Sequence, residues 1–349
     1  MSHFHKLILQ EVRKETPDSV SIRFEIPDSL KKEFRFTPGQ HLTLKTTIDG
    51  KEVRRAYSIC SSPDSDELRV AVKKVPNGVF SVYANEKLEA GENMEVYIPE
   101  GRFLLHPEEE KAYLAFVAGS GITPILSMIK TVLSNTSKSK FVLVYGNKSP
   151  QDTMFLVELK NLQNKYSNRL FIQWVYSRAQ EQDSLFGRIE SSTVNLVVKN
   201  KFKDTKFAGY YLCGPEEMIH VVKDTLLKNE VPNEDIHFEL FTSTEKKTIP
   251  EAALSKGKTH LTVHLDGETH TLEIKKSHSV LESVLEAGID APYSCQGGVC
   301  STCIARIKEG SAVMAKNSIL TDGEIAEGLT LTCQARPTSD TLSIDYDDV

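Results

Sequence analysis

The chain has 349 residues, 40% of them hydrophobic, and a formal net charge of −6. That length exceeds one ordinary core, so two or three domains are expected. No stretch reaches the ~20 apolar residues of a spanning helix, no basic stripe suggests nucleic acid, and Met1 to Lys6 lacks the apolar run of a secretory signal. A cytoplasmic enzyme that acts neither on membranes nor on nucleic acid is the expectation, and nothing in the cysteines argues for an oxidising compartment.

Residues 1–107 read as all-β. Apolar and polar residues alternate through His41–Thr46 and, in part, Leu68–Lys73. Turn signals at Pro38-Gly39, Asp49-Gly50, Asn77-Gly78 and Ala90-Gly91 are closely spaced. A small antiparallel β-barrel follows. Residues 108–243 alternate strand and helix: Tyr113–Ala118, Phe141–Tyr145, Leu170–Val175 and Gly209–Cys213 are short apolar runs, and Pro124–Leu133 has helical spacing. This predicts a doubly wound parallel α/β domain. Residues 244–257 are polar, carry Pro and Gly, and read as a linker. Residues 258–349 begin with a hairpin turning at Asp266-Gly267, then a helix through Val280–Ala287, then a cysteine-rich loop.

That last segment holds seven Lys and Arg against fourteen Asp and Glu, a net of −7, so the acidity of the chain belongs to its end. Acidic excess serves solubility; it also suits docking to a basic partner.

Three constellations carry chemistry. Arg55-Ala56-Tyr57-Ser58 places a guanidinium and a phenol on one face of a strand, suited to a phosphate and a planar ring. Alone it also describes an ordinary polar strand. Downstream, Gly78-Val79-Phe80-Ser81 opens a helix whose N–H groups face an anion. Gly119-Ser120-Gly121-Ile122-Thr123-Pro124 lies between strand and helix, where glycines admit a pyrophosphate. A tight turn has the same look, but Gly146-Asn147, Ser177-Arg178 and Cys213-Gly214-Pro215 all end strands of the same block. Ligands of open α/β sheets bind beyond those ends. Ser177 and Arg178 suit a 2′-phosphate and so NADPH; a surface ion pair is the alternative for Arg178.

The third constellation is Cys295, Cys300 and Cys303, with Cys333 returning later. The C-x4-C-x2-C…C order is the plant-type ligand set of a 2Fe-2S cluster. Structural zinc would more usually show two C-x2-C pairs.

These residues resemble the ferredoxin–NADP reductase superfamily with a plant-type ferredoxin fused at the C-terminus. The resemblance covers essentially the whole chain. It implies a flavin barrel, a doubly wound nicotinamide domain and a β-grasp 2Fe-2S domain. By resemblance, Arg55, Ala56, Tyr57, Ser58, Lys73 and Gly78 to Ser81 hold FAD, with FMN open. Gly119, Ser120, Gly121, Thr123, Gly146, Asn147, Ser177, Arg178, Cys213, Gly214 and Pro215 hold NADPH. Tyr57, Ser58 and Cys213 border the hydride path, and Glu239 or Phe241 closes the other face of the flavin, with core packing the alternative for Phe241. The block order is similar to reductase components of multicomponent oxygenases, those of phenylacetyl-CoA epoxidase and steroid hydroxylases among them. It implies a relay from NADPH through FAD and the 2Fe-2S cluster to a separate di-iron or similar oxygenase, docking on the acidic end. A ferredoxin-like carrier with inert front domains and a quinone or nitro-compound reductase are the alternatives. Cys60 has no expected role, and His260, His264 and His270 are read as surface histidines.

Overall fold

The computed structural model describes residues 4–241 and 257–349, in two compact units, Phe4–Leu240 and Phe241–Val349. Residues 244–256 of the expected linker lie outside the described residues.

The first unit opens with strands β1 (Phe4–Thr16), β2 (Ser19–Glu25), β3 (His41–Ile48), β4 (Lys51–Ser58) and β5 (Leu68–Lys73). Helix α1 (Val79–Glu86) and strand β6 (Asn93–Tyr97) follow. They form one antiparallel sheet, ordered β4-β3-β6-β1-β2-β5. Its ends meet through a bridge between Ile59 and Val70, which closes the barrel. Asp49 and Gly50 both have positive φ, 50° and 76°, the twist a two-residue hairpin turn requires. Inside lie Leu7, Leu9, Ile22, Leu42, Leu44, Val70 and Val96, the inward halves of alternating strands.

The second half of this unit contains β7 (Ala112–Ala118), α2 (Ile122–Asn135), β8 (Lys140–Asn147), α3 (Leu156–Lys165), β9 (Leu170–Tyr176), β10 (Ser184–Phe186), α4 (Ser191–Asn195), β11 (Phe207–Cys213), α5 (Glu216–Lys228) and β12 (Ile236–Glu239). The sheet is parallel, ordered β10-β9-β8-β7-β11-β12. The chain moves outward from β7 to β10 and then returns to the other side with β11. The switch point therefore lies between β7 and β11, where such sheets open a crevice. Cys60, Phe103 and Leu105 from the barrel share one core with Ile125, Met128 and Ile129 of α2. Burial of that seam holds barrel and α/β sheet in one body.

The second unit carries β13 (Lys258–Leu265), β14 (Glu268–Lys275), α6 (Val280–Glu286), β15 (Ile304–Met314), α7 (Asp322–Ala326), β16 (Leu329–Leu331) and β17 (Ala335–Asp345). Its mixed sheet runs β14-β13-β17-β15-β16, with β13 parallel to β17. Helix α6 starts at a capping box: Ser279 Oγ accepts from the Glu282 N–H, and the Glu282 carboxylate accepts from the Ser279 N–H. It buries Val280, Leu281 and Val284. The arrangement is the expected β-grasp.

Candidate flavin, nicotinamide and cluster sites

Strand β4 runs beside β3 with Leu42 opposite Tyr57 and His41 opposite Ser58. Arg55 and Tyr57 share a strand face, with half-buried Ala56 between them. The Tyr57 ring lies 5.3 Å from Phe80, and burial raises its phenol well above the usual range. Helix α1 begins after Gly78 with no side-chain cap on its first turn. Ser81 Oγ instead accepts from the Val75 N–H at 3.2 Å, which folds the entering loop onto the helix start.

Lys73, at the end of β5, joins this loop to the next one. Its Nζ stands 3.5 Å from where a Cβ on Gly119 would be. Burial, and then the neighbouring Lys148, lower its pKa. Two ammonium groups and an open helix start at one spot suit an anion.

Gly119–Gly121 forms a 3-10 turn leading straight into α2, which begins two residues before Pro124. Thr123 Oγ1 donates to the Ser120 carbonyl at 3.0 Å, and the Tyr145 hydroxyl donates to the Gly119 carbonyl at 2.9 Å. Gly121 allows close backbone approach: a Cβ there would lie 2.3 Å from the Cys213 carbonyl oxygen. The ends of β7 and β11 thus touch through a residue without a side chain, and Gly214-Pro215 continues from the contact. Gly146, next to last in β8, lies against Ile189, whose Cδ1 would lie 3.2 Å from an added Cβ. The Ser177 N–H donates to the Asn147 carbonyl at 3.0 Å and the Arg178 N–H to the Lys148 carbonyl at 2.8 Å, which pins both loops to one edge. Arg178 is exposed and makes no ion pair among the described residues.

At the crevice, β11 and β12 pair Cys213 with Glu239. Ser58 Oγ donates to Glu239 Oε2 at 3.2 Å across 181 positions of sequence. Burial pushes the Glu239 carboxyl up to about 7, against the pull of His41 and the Ser58 hydroxyl. Cys213 is wholly buried; burial first, then Glu239, keep its thiol neutral. The fold thus gathers Ser58, Glu239 and Cys213. Phe241 is exposed and begins the other unit. A hollow of about 890 Å³ lies elsewhere, lined by Arg13, Pro17, Arg69, Lys130, Phe155 and Lys165, and none of the expected nucleotide residues lines it.

In the second unit the four cysteines converge in two pairs. Cys295 is held below the usual thiol range, first by a hydrogen bond from Cys300 and also by N–H groups of Gly297, Val299 and Cys300. The Gly297 N–H reaches Cys295 Sγ at 3.3 Å. Cys333 is lowered, first by Cys303 and also by the Gln334 amide and the Gly298 N–H. Cys300 and Cys303 are raised by the same pairing. Gly298 has φ +71°, and an added Cβ would meet the Lys316 carbonyl at 3.0 Å. Only a glycine lets the loop turn here and aim its N–H groups at sulfur.

Models of three domain families match the chain. An oxidoreductase FAD-binding domain matches residues 6–104, an oxidoreductase NAD-binding domain residues 116–224, and a 2Fe-2S iron-sulfur cluster binding domain residues 263–338. A component of the 1,2-phenylacetyl-CoA epoxidase of Escherichia coli K12 is 37% identical over 351 residues, covering 99% of each chain. The chain belongs to the ferredoxin–NADP reductase superfamily, in the group ending in a 2Fe-2S domain. A ferredoxin reductase component of 3-ketosteroid-9-alpha-monooxygenase from Mycobacterium tuberculosis is 33% identical, covering 99% of this chain and 97% of its own. The solved structure of phthalate dioxygenase reductase superposes with a TM-score of 0.61 at 25% identity over 98% of both chains. This reductase is therefore an NAD(P)H-dependent oxidoreductase with FAD, nicotinamide and 2Fe-2S domains.

The residues present fit those groups. N–H donors around four gathered sulfurs suit metal-bound thiolates. The uncharged Tyr57 ring, the uncapped start of α1 and the Lys73 ammonium suit a flavin and its phosphates. Sequence alone did not single out His41 or Gln334. Neither belongs to a short motif; each matters only through neighbours brought from elsewhere in the chain.

Proposed function

We propose that this reductase passes electrons from NADPH, through FAD and the 2Fe-2S cluster held by Cys295, Cys300, Cys303 and Cys333, to the oxygenase component of a phenylacetyl-CoA epoxidase. The observation that carries the choice of partner is the full-length likeness to a component of that enzyme. When bound, a flavin reconciles a two-electron hydride donor with a one-electron cluster. The remaining work falls to side chains. Gly119, Ser120, Gly121 and Thr123 take the pyrophosphate at the start of α2, with Gly146, Asn147, Gly214 and Pro215 lining the crevice. Ser177 and Arg178 grip the 2′-phosphate. Arg55, Ala56, Tyr57, Lys73 and Gly78 to Ser81 hold the flavin. Neutral Cys213 borders the path of the hydride without competing as a nucleophile. Ser58 and Glu239 hold a proton beside it, and a carboxyl poised near 7 can give or take one at physiological pH.

The docking face is the acidic one around α6. Glu282 and Glu286 border a hollow of about 490 Å³ that also reaches Leu281, Leu285, Gln296 and Cys333. Negative charge beside a ligand of the cluster steers a basic oxygenase surface toward the exit of the electrons.

The test is reconstitution. The holoprotein, NADPH and the oxygenase component of phenylacetyl-CoA epoxidase should form epoxide. A 3-ketosteroid hydroxylase oxygenase should give far less product. Equal support of both oxygenases, or cluster reduction without epoxide, would remove the proposed partner.

A further inference from the structure

The Gln334 side chain ties the cysteine loop to the fourth cysteine. Its backbone is already committed: the Gln334 N–H donates to the Leu331 carbonyl at 2.8 Å, and its carbonyl accepts from the Ala315 N–H at 3.0 Å. That leaves the side-chain amide, which carries two donor hydrogens. Gln334 Nε2 donates to the Gln296 carbonyl at 2.9 Å and lies 3.6 Å from Cys333 Sγ. The Gln296 carbonyl can only accept, and so can Cys333 Sγ as a metal-bound thiolate, which fixes the amide with its nitrogen toward them. The aliphatic stem passes beneath Gly298, where an added Cβ would sit 3.1 Å from Gln334 Cγ. Gln296 itself has φ +52°, so the accepting carbonyl belongs to a left-handed turn of the loop.

We propose that Gln334 is a positioning residue that raises the reduction potential of the cluster, by donating one N–H to Cys333 and anchoring the ligand loop with the other. The reduced cluster carries one more negative charge than the oxidised one. A donor to a ligand sulfur therefore stabilises the reduced form more, and its removal lowers the potential. Gln334 contributes no electron and no ligand; it shifts the balance between two states of the same four-thiolate site.

The experiment is a redox titration of the full-length holoprotein, read by visible absorption and by EPR of the reduced cluster. Gln334→Met keeps the volume and loses both donors. Gln334→Glu keeps the shape, loses both donors and adds charge. The methionine variant should shift the oxidised-to-reduced ratio at fixed potential three- to tenfold toward oxidised, about 30–60 mV at 59 mV per decade. The glutamate variant should shift further in the same direction, with altered EPR g-values in both. Two irons per chain must be retained in each. An unchanged or raised potential at full iron content overturns the proposal. So does loss of the cluster from both variants, which would make Gln334 an assembly residue rather than a tuning one.

Discussion

Glu239→Gln should flatten the pH dependence of stability of the Phe4–Leu240 unit. Below about pH 4.5 the carboxyl is protonated in folded and unfolded chains alike, and burial costs nothing. As the pH climbs toward about 7, the unfolded chain gives up its proton while the folded one keeps it. The unfolded state then binds fewer protons, so stability falls through that window and stays lowered above it. A carboxyl moved from 4.5 to about 7 corresponds to about 3 kcal/mol, trimmed to about 2 kcal/mol because Glu239 is only part-buried. The glutamine can still accept from Ser58 but has no charge to desolvate. Urea unfolding followed by emission of Trp174 isolates this unit, because the chain has one tryptophan. The variant should gain about 2 kcal/mol on wild type at pH 8 and nothing at pH 4. Parallel profiles for the two proteins across that range would refute the buried-carboxyl reasoning.

Arg178→Ala should weaken NADPH by about 1–3 kcal/mol and leave NADH unchanged; equal losses in steady-state KM would remove Arg178 from the 2′-phosphate. Gly121→Ala puts a methyl 2.3 Å from the Cys213 carbonyl, so the two loops must part. About 1–3 kcal/mol of stability should be lost in the Trp174-monitored unfolding, with slower flavin reduction by NADPH; an unperturbed variant would mean that the loops do not touch in solution. Glu282→Lys with Glu286→Lys should slow encounter with the oxygenase and weaken its dependence on salt, because exposed charges act within a Debye length. Stopped-flow cluster reoxidation at two ionic strengths reads both effects.

Much of this reductase is written in local sequence. The cysteine spacing can be read without a fold, because three of the four proposed ligands come from nine consecutive residues, Cys295 to Cys303. The glycine loop before α2 is equally local, since strand, turn and helix follow one another directly. Alternation marks the barrel strands, and the helical spacing of Pro124–Leu133 falls within α2. Each signal rests on a period or a turn preference that a few neighbouring residues express by themselves.

Other features exist only after folding. Barrel closure needs Ile59 beside Val70, and no residue type announces that bridge. Ser58 meets Glu239 because β12 pairs with β11 and brings Glu239 to the end of β4; the resemblance had offered Glu239 or Phe241 for the flavin face, and no residue type announces the contact with Ser58. Gln334 looks like any polar residue after a cysteine until the Gln296 carbonyl and Cys333 Sγ converge on its amide. Ligand identity is a matter of residue type and spacing, which sequence carries. The proton inventory and the hydrogen bonds around those ligands depend on burial and on contacts between distant segments, which only the tertiary structure decides.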